Sequence, residues 1–321
     1  MEAKLAKTIP AGPEWEYEPK WDGFRCLAFR DGDEVELQSK SGQPLTRYFP
    51  EMVAALSALR AKRFVLDGEL IVPVDGKLSF DDLLQRIHPA ASRVQKLSHE
   101  HPASFVVFDF LVDDKGASLI EQPQEKRRAR LEAFHSRYLE DKRSFRLSPA
   151  TRDLALAKHW LKSSEGELDG VVAKRIDQPY ISGERAMVKV KDIRTVDCVV
   201  GGFRYATGKS VVGSLLLGLY DKQGLLNHVG FTSSIAAADR KELTRKLEKL
   251  IKPPGFTGAA PGGLSRWSTE RSTAWEPLKP VLVVEVSYDH VTGHRFRHGT
   301  KLLRWRPDKS PNQCTDAQLT H

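Results

Sequence analysis

Hydrophobic and polar positions follow one rhythm in the first two-thirds of this chain and another beyond it. From Phe24 to Phe29 and from Glu34 to Gln38 they alternate, and Asp31-Gly32-Asp33 lies between, so the two segments predict a hairpin. Phe64 to Val72 and Ser104 to Val112 are nearly continuous apolar runs of strand length, as buried strands are. Helices are expected over Pro50–Leu59, with proline in the first turn, over Pro123–Tyr138 and over Ser148–Leu161. Leu168 to Ala173 and Met187 to Val190 read as short apolar strands. Strands outnumber helices without regular strand–helix alternation, which predicts an α+β fold of mixed, mostly antiparallel sheets.

The rhythm changes near Asp192-Ile193-Arg194-Thr195. Short strands with glycine-rich turns follow, over Val196–Tyr205, Ser214–Tyr220 and Leu225–Phe231. Leu243, Leu247 and Leu250 recur at helical spacing within an expected helix from Ala236 to Ile251. After a Pro/Gly-rich stretch from Pro253 to Gly263, strands are expected over Val281–Tyr288 and Leu302–Trp305. Five strands and one helix in about 125 residues suit a small β-barrel of the oligonucleotide-binding type, the OB-fold. The expected domains are residues 1–193 and 194–321, and 321 residues suffice for two cores.

Composition narrows the class. No apolar run reaches the ~20 residues of a membrane span, and Met1–Pro13 lacks the apolar stretch of a signal peptide. A soluble cytoplasmic protein with no membrane partner is expected. Cys26, Cys198 and Cys314 are scattered and form no CxxC pair, which argues against a thiolate zinc site or a disulfide framework. Net charge is +8, and its location matters more than its size. From Val196 onward there are 18 Lys and Arg against 11 Asp and Glu; before it the numbers are 32 and 31. A basic C-terminal third attracts polyanions, nucleic acid among them.

Candidate chemistry begins at Glu18-Pro19-Lys20-Trp21-Asp22-Gly23-Phe24-Arg25. A nucleophilic lysine must lose its proton, and an unperturbed ammonium is neutral only about once in 2,500 at pH 7. Neighbouring cations, a metal or low dielectric raise that fraction. KxDG alone also fits a strand entering a hairpin with a surface lysine, so its companions decide. Leu66-Asp67-Gly68-Glu69-Leu70 sets acids in a buried strand, where a carboxylate needs a partner or a metal. Phe105 to Phe110 sets Phe108 and Asp109 in another, and Glu167 to Lys174 repeats the acid–Gly–apolar pattern around Asp169 and ends on lysine. Lys189 and Lys191 share a strand face. Arg304, Arg306 and Lys309 cluster around Asp308. Singly, each has a plainer reading as core, ion pair or solvated face.

Taken in order, EPKWDGFR, DGE, FVVFDFL, DGVVAK, VKVK and RWRPDK resemble the ATP-dependent DNA ligases of the covalent nucleotidyltransferase superfamily. The likeness runs from Glu18 to about Leu319 and is similar to the ligase module of bacterial end-joining enzymes and their stand-alone relatives. It implies an adenylation (nucleotidyltransferase) domain followed by an OB-fold barrel, ATP as cofactor with AMP carried on Lys20, and Mg²⁺ or Mn²⁺. By that resemblance Lys20, with Asp22 beside it, is the catalytic nucleophile toward the α-phosphorus of ATP. Glu18 would bind adenine, Phe108 would stack on it, and Arg25 and Lys40 would reach the ribose or the DNA end. Glu69 would hold the ribose or a metal, and Asp169 a metal. Lys174, Lys189 and Lys191 would contact phosphates. Arg306, Asp308 and Lys309 form a catalytic cluster in which Arg306 and Lys309 orient the departing pyrophosphate, carried by a barrel that closes and then rotates away.

The resemblance further implies repair of nicked duplex DNA by a monomer, with repair proteins as potential partners. Asp169 stands where the family often has Glu, and Lys40 where it often has Arg, which keeps the charge but loses the fork. Lys20 comes so early that no N-terminal DNA-binding domain is expected ahead of it. An RNA ligase or an mRNA-capping guanylyltransferase would share KxDG. An NAD⁺-dependent ligase is disfavoured by the scattered cysteines. From another class, a non-catalytic nick- or end-binding module would show the same charge distribution. Thr207-Gly208-Lys209-Ser210 mimics the end of a Walker loop, but Phe203 stands where that motif needs glycine, so a basic hairpin turn is expected.

Overall fold

In this computed structural model two sheets of the N-terminal half each cover a core of their own and share a smaller apolar cluster. Residues 1–140, 143–162, 168–262 and 274–319 are described. They divide into two compact units, Met1–Asp192 and Ile193–His321.

The first unit runs β1 (Ala3–Leu5), β2 (Trp15–Trp21), β3 (Phe24–Asp31), β4 (Glu34–Ser39), α1 (Pro50–Ser57), β5 (Arg63–Ile71), β6 (Pro73–Val74), β7 (Lys77–Leu78), α2 (Phe80–Gln85), α3 (Ala91–Glu100), β8 (Ser104–Val112), α4 (Gln124–Tyr138), β9 (Phe145–Leu147), α5 (Leu154–Lys162), β10 (Leu168–Arg175) and β11 (Met187–Val190). One sheet has the order β1-β11-β10-β2, the other β4-β3-β5-β8-β9, with β6 and β7 as a separate hairpin. Pairing is antiparallel except between β1 and β11 and between β8 and β9, so the expected α+β fold with mostly antiparallel sheets holds. Behind the second sheet lies the largest core, with Cys26, Ala28, Phe49, Phe64, Leu66 and Phe105 buried. Behind the first, Tyr17, Val171, Ala173, Val188 and Val190 pack on Ala157 of α5. Between the two sheets sits a smaller cluster of Met1, Leu111, Tyr180 and Met187.

The second unit runs β12 (Arg194–Tyr205), β13 (Val212–Tyr220), β14 (Leu226–Thr232), α6 (Arg240–Glu248), β15 (Glu276–Pro277), β16 (Val283–Tyr288), β17 (Val291–Thr292), β18 (Arg295–Phe296) and β19 (Lys301–Trp305). Its sheet has the order β14-β13-β12-β16-β19, all antiparallel, with β15 also on β12. The outer strands meet at one end, where Thr300 N donates to Phe231 O at 3.1 Å and Thr232 Oγ1 to Thr300 O at 2.9 Å. Thr207-Gly208-Lys209-Ser210 is the turn between β12 and β13, closed by Lys209 N on Ala206 O.

Two helices are shorter than their patterns predict. Ser148 precedes a proline, which disfavours helix, and Thr151 exchanges both backbone hydrogen bonds with Tyr17. The helix therefore starts at Leu154, behind an Asp153 carboxylate that accepts from Ala155 N at 2.7 Å. In α6, Ala236–Asp239 is taken by a turn, and after Leu250 the backbone turns to Pro277, leaving Arg240–Glu248. Short β1 and helices α2 and α3 lie outside the elements predicted. All three cysteines are free and buried, and burial raises their thiol pKa values, Cys314 to about 11. Among the described residues no helix is long and apolar enough to cross a membrane.

Candidate active site

The site grows from strand alternation. Glu18 pairs across β2–β10 with Val172, and Val172 across β10–β11 with Lys189. Successive alternate residues therefore put Glu18, Lys20, Lys174, Lys189 and Lys191 on the sheet face opposite the α5 core. The register slips between Leu168 and Val171, opposite Lys20, and this bulge brings Asp169 to the lysines. Lys20 Nζ lies 2.6 Å from Asp169 Oδ2, and Lys191 Nζ lies 3.1 Å from the same oxygen. Burial opposes ionisation of Asp169, but the two lysines outweigh it and hold the carboxyl below its usual range. Burial also lowers the Lys189 pKa, helped by repulsion from Lys20, Lys191 and Lys40. Glu167 lies outside the described residues.

The second sheet supplies the facing groups. Arg25 on β3 pairs with Glu69 on β5. Burial pushes the Glu69 carboxyl up to about 8, reinforced by Asp67 and Asp22 and opposed by Lys20 and Arg25. A carboxyl with a folded-state pKa above its ordinary 4.5 weakens folding increasingly from about pH 4.5 to 8, where the unfolded chain ionises and the folded one does not. Glu69→Gln should therefore raise the melting temperature at pH 9 and leave it unchanged at pH 4. Equal shifts at both values in thermal melts would contradict this.

On β8, Val107 opposes Gly68 and Asp109 opposes Asp67, so Phe108 is the extra residue of a bulge and stays partly exposed. Lys174 Nζ lies 4.8 Å from its ring centroid and the Arg25 guanidinium 5.5 Å. Lys174 does not join the lysines at Asp169, as a phosphate role would suggest. It is 3% exposed, pairs with Glu18 Oε1 at 2.6 Å and donates to Phe108 O at 3.1 Å. The physical reason is Glu18, itself buried, which needs a compensating charge. Arg25 likewise does not reach out freely: Nε meets Asp67 Oδ1 at 3.0 Å and Nη2 meets Oδ2 at 2.5 Å, with Met1 O a further acceptor. Lys40 pairs with Glu2 at 3.1 Å.

Behind Phe108 runs a chain of buried ions that sequence reading missed. Tyr180 Oη donates to Asp67 at 2.8 Å, and Arg127 grips Asp109 at 2.8 and 3.1 Å. Arg127 stands in the segment that reads as a helix and Tyr180 between two expected strands, with nothing local to mark either. In the second unit, Arg306 Nη1 grips Asp197 at 2.9 and 3.1 Å, Lys309 Nζ lies 2.7 Å from Asp197, and Arg306 Nη2 meets Asp308 at 2.8 Å. Asp197 was missed although a signal existed: an acid within the apolar run Val196–Val200, the feature that marks Glu69.

The residues fit a purine nucleotide with a divalent ion. Gln124 Oε1 and Arg128 Nη1 are buried without a hydrogen-bond partner among the described residues, and Arg128 Nη1 is 3.9 Å from Glu18 Oε1. Such orphaned groups suit a polar base. Among the described residues no three His, Cys, Asp or Glu gather as a metal cage. One or two carboxylates plus substrate phosphates is the usual Mg²⁺ arrangement, and Glu69 and Asp169 are the carboxylates the resemblance would assign to it. Phe108→Ala should weaken ATP binding by about 10- to 100-fold, the worth of one base stack. An unchanged KM for ATP would remove Phe108 from that role.

Lys20, Lys189 and Lys191 thus gather around the Asp169 carboxylate at the end of β2, an arrangement suited to an anion. The family model described as "ATP dependent DNA ligase domain" matches residues 2–191, and that described as "ATP dependent DNA ligase C terminal region" matches 208–309. DNA ligase C1 of Mycolicibacterium smegmatis is 45% identical, covering 99% of this chain and 93% of its own. DNA ligase C of Mycobacterium tuberculosis is 43% identical, covering 99% and 92%. A solved Lig E DNA ligase, 16% identical, superposes with a TM-score of 0.61 over 95% of this chain and 99% of that one, a likeness of fold. The chain belongs to the ATP-dependent DNA ligases.

Proposed function

We propose that this chain seals DNA nicks that carry a 5′-phosphate and a 3′-hydroxyl, using Lys20 as the nucleophile. The observation that carries the assignment is the Lys20–Asp169 contact of 2.6 Å within a group of lysines that an anion would neutralise. In the first step Lys20 Nζ loses a proton and bonds the α-phosphorus of ATP, and pyrophosphate leaves. The 5′-phosphate of DNA then takes the AMP, and attack by the 3′-hydroxyl forms the phosphodiester and frees AMP. Asp169 holds Nζ in place, while Lys189 and Lys191 stabilise the phosphates. Glu18, with Lys174 and Arg128, forms the polar end of the base site, and Phe108 its stacking face. Glu69 and Asp169 would hold the divalent ion, which neutralises charge on the triphosphate. Arg306 and Lys309 act on the leaving pyrophosphate, and Asp308 holds Arg306 until then.

In this reading Met1–Asp192 is the adenylation domain and Ile193–His321 an OB-fold domain. The antiparallel five-strand order and the link between its outer strands support the barrel. Its basic excess supports a role on the DNA backbone, which predicts binding that weakens steeply with salt. All the proposed groups lie on one chain, which supports action as a monomer on nicked duplex DNA, with other repair proteins at hand. Three buried reduced thiols suit the cytoplasm.

The test is sealing of a 5′-phosphorylated nick by purified protein with ATP and Mg²⁺, read on a denaturing gel. A full-length strand that requires ATP supports the proposal. Binding of the nick with neither adenylation nor sealing would favour a non-catalytic module.

A further inference from the structure

We infer that Asp197 is a positioning residue that holds Arg306 and Lys309 as one unit for the first, adenylate-forming step. The inference rests on the reading of Arg306 and Lys309 given above.

Asp197 is 8% exposed on β12, where a lone carboxylate would be strongly disfavoured. Two cations converge on it. Arg306 Nη1 contacts both carboxylate oxygens, and Lys309 Nζ lies 2.7 Å from Oδ2. Past the end of β19 the backbone is still tied down, with Arg306 N donating to Val283 O at 2.8 Å and Lys309 N to Arg306 O at 3.2 Å, so what remains to be fixed is the two long side chains. Asp197 gives both one fixed point. Its own strand is held on each side. Asp197 pairs with Glu285 on β16, and Glu285 ion-pairs with Arg304 on β19. Gln318 closes the other flank, accepting from Asp197 N at 3.4 Å and donating to Asp197 O at 3.3 Å.

The two carboxylates on Arg306 differ in a way that matters for chemistry. Asp197 binds through Nη1 from the protein side. Asp308, 61% exposed, occupies the Nε–Nη2 edge with contacts of 3.0, 3.1 and 2.8 Å. That edge is the two-pronged donor a phosphate takes. A phosphate group can thus displace the exposed Asp308 while Asp197 keeps its grip, and Lys309 stays beside the fork. Asp197 serves as the fixed anchor and Asp308 as the exchangeable stand-in for the anion.

The experiment compares Asp197→Asn, Arg306→Ala and the double variant with the wild type in two assays. One is self-adenylation with labelled ATP; the other is sealing of a nick already carrying 5′-AMP. Asn keeps the size and removes the charge. Self-adenylation by Asp197→Asn should fall about 10- to 100-fold, as for loss of a hydrogen bond to a charged group, while sealing of the pre-adenylated nick is retained. The double variant should lose less than the product of the two single losses, since Asp197 acts in part through Arg306, while the loss beyond Arg306→Ala alone reports its hold on Lys309. Wild-type self-adenylation by Asp197→Asn, losses that multiply in the double variant, or an equal loss in both assays would each overturn the proposal. A wild-type protein that cannot seal the pre-adenylated nick would instead refute the ligase reading beneath it.

Discussion

Lys20→Ala should leave no detectable protein-bound AMP, a loss of at least about 10⁴-fold, as when a covalent nucleophile is removed. The same variant should still seal a nick that already carries 5′-AMP. The split follows from geometry. Lys20 is the lysine at the end of β2, held by Asp169 and flanked by Lys189 and Lys191. Those neighbours remain in the variant, so phosphate binding survives while the bond-forming nitrogen is gone. Labelling with α-phosphate-labelled ATP measures the first step, and a pre-adenylated nick the last. ATP-dependent sealing at the wild-type rate would remove Lys20 from the nucleophile role.

The second large effect is expected at Gly170. Its φ is +126°, and an added Cβ would lie 2.0 Å from Val190 O, which is backbone and cannot step aside. Backbone strain and overpacking together cost about 3 kcal/mol or more. For a unit of this size that lowers the melting temperature by roughly 6–12 °C. Adenylation should fall too, because Gly170 forms the bulge that delivers Asp169 to Lys20. Gly32→Ala is the control: φ is +60° with nothing within 4 Å, so only a mild loss is expected. Equal melting temperatures for Gly170→Ala and the wild type would show that the bulge tolerates a side chain.

What could be read from the sequence was what is written locally. The β3–β4 hairpin carries its own turn residues, and β5 and β8 are apolar enough to be strands in any context. Glu69 stood out as an acid within such a strand, whereas Lys20, Asp169, Lys189 and Lys191 had plainer readings singly and were given roles by the order of motifs they share with the ligases. What escaped depends on distant partners. β1 is three residues held by β11, far along the chain. Ser148–Asp153 carried one local warning, the proline after Ser148, but its pairing with Tyr17 lies far along the chain. The phosphate role of Lys174 came from the resemblance, and nothing near it in sequence reveals its pairing with Glu18, 156 residues away. Asp197, Arg127 and Tyr180 matter only through the charges they meet across the fold.

The burial of Cys26, Cys198 and Cys314 has a practical side. A thiol sealed in a core, with its proton held more tightly than usual, reacts slowly with maleimides. A cysteine placed on the surface of each unit would then take fluorophores selectively, with the native three left in place. The distance between two such dyes could be followed by energy transfer as ATP, then nicked DNA, is added. Two added cysteines, with none removed, would thus suffice for single-molecule observation of the reaction cycle.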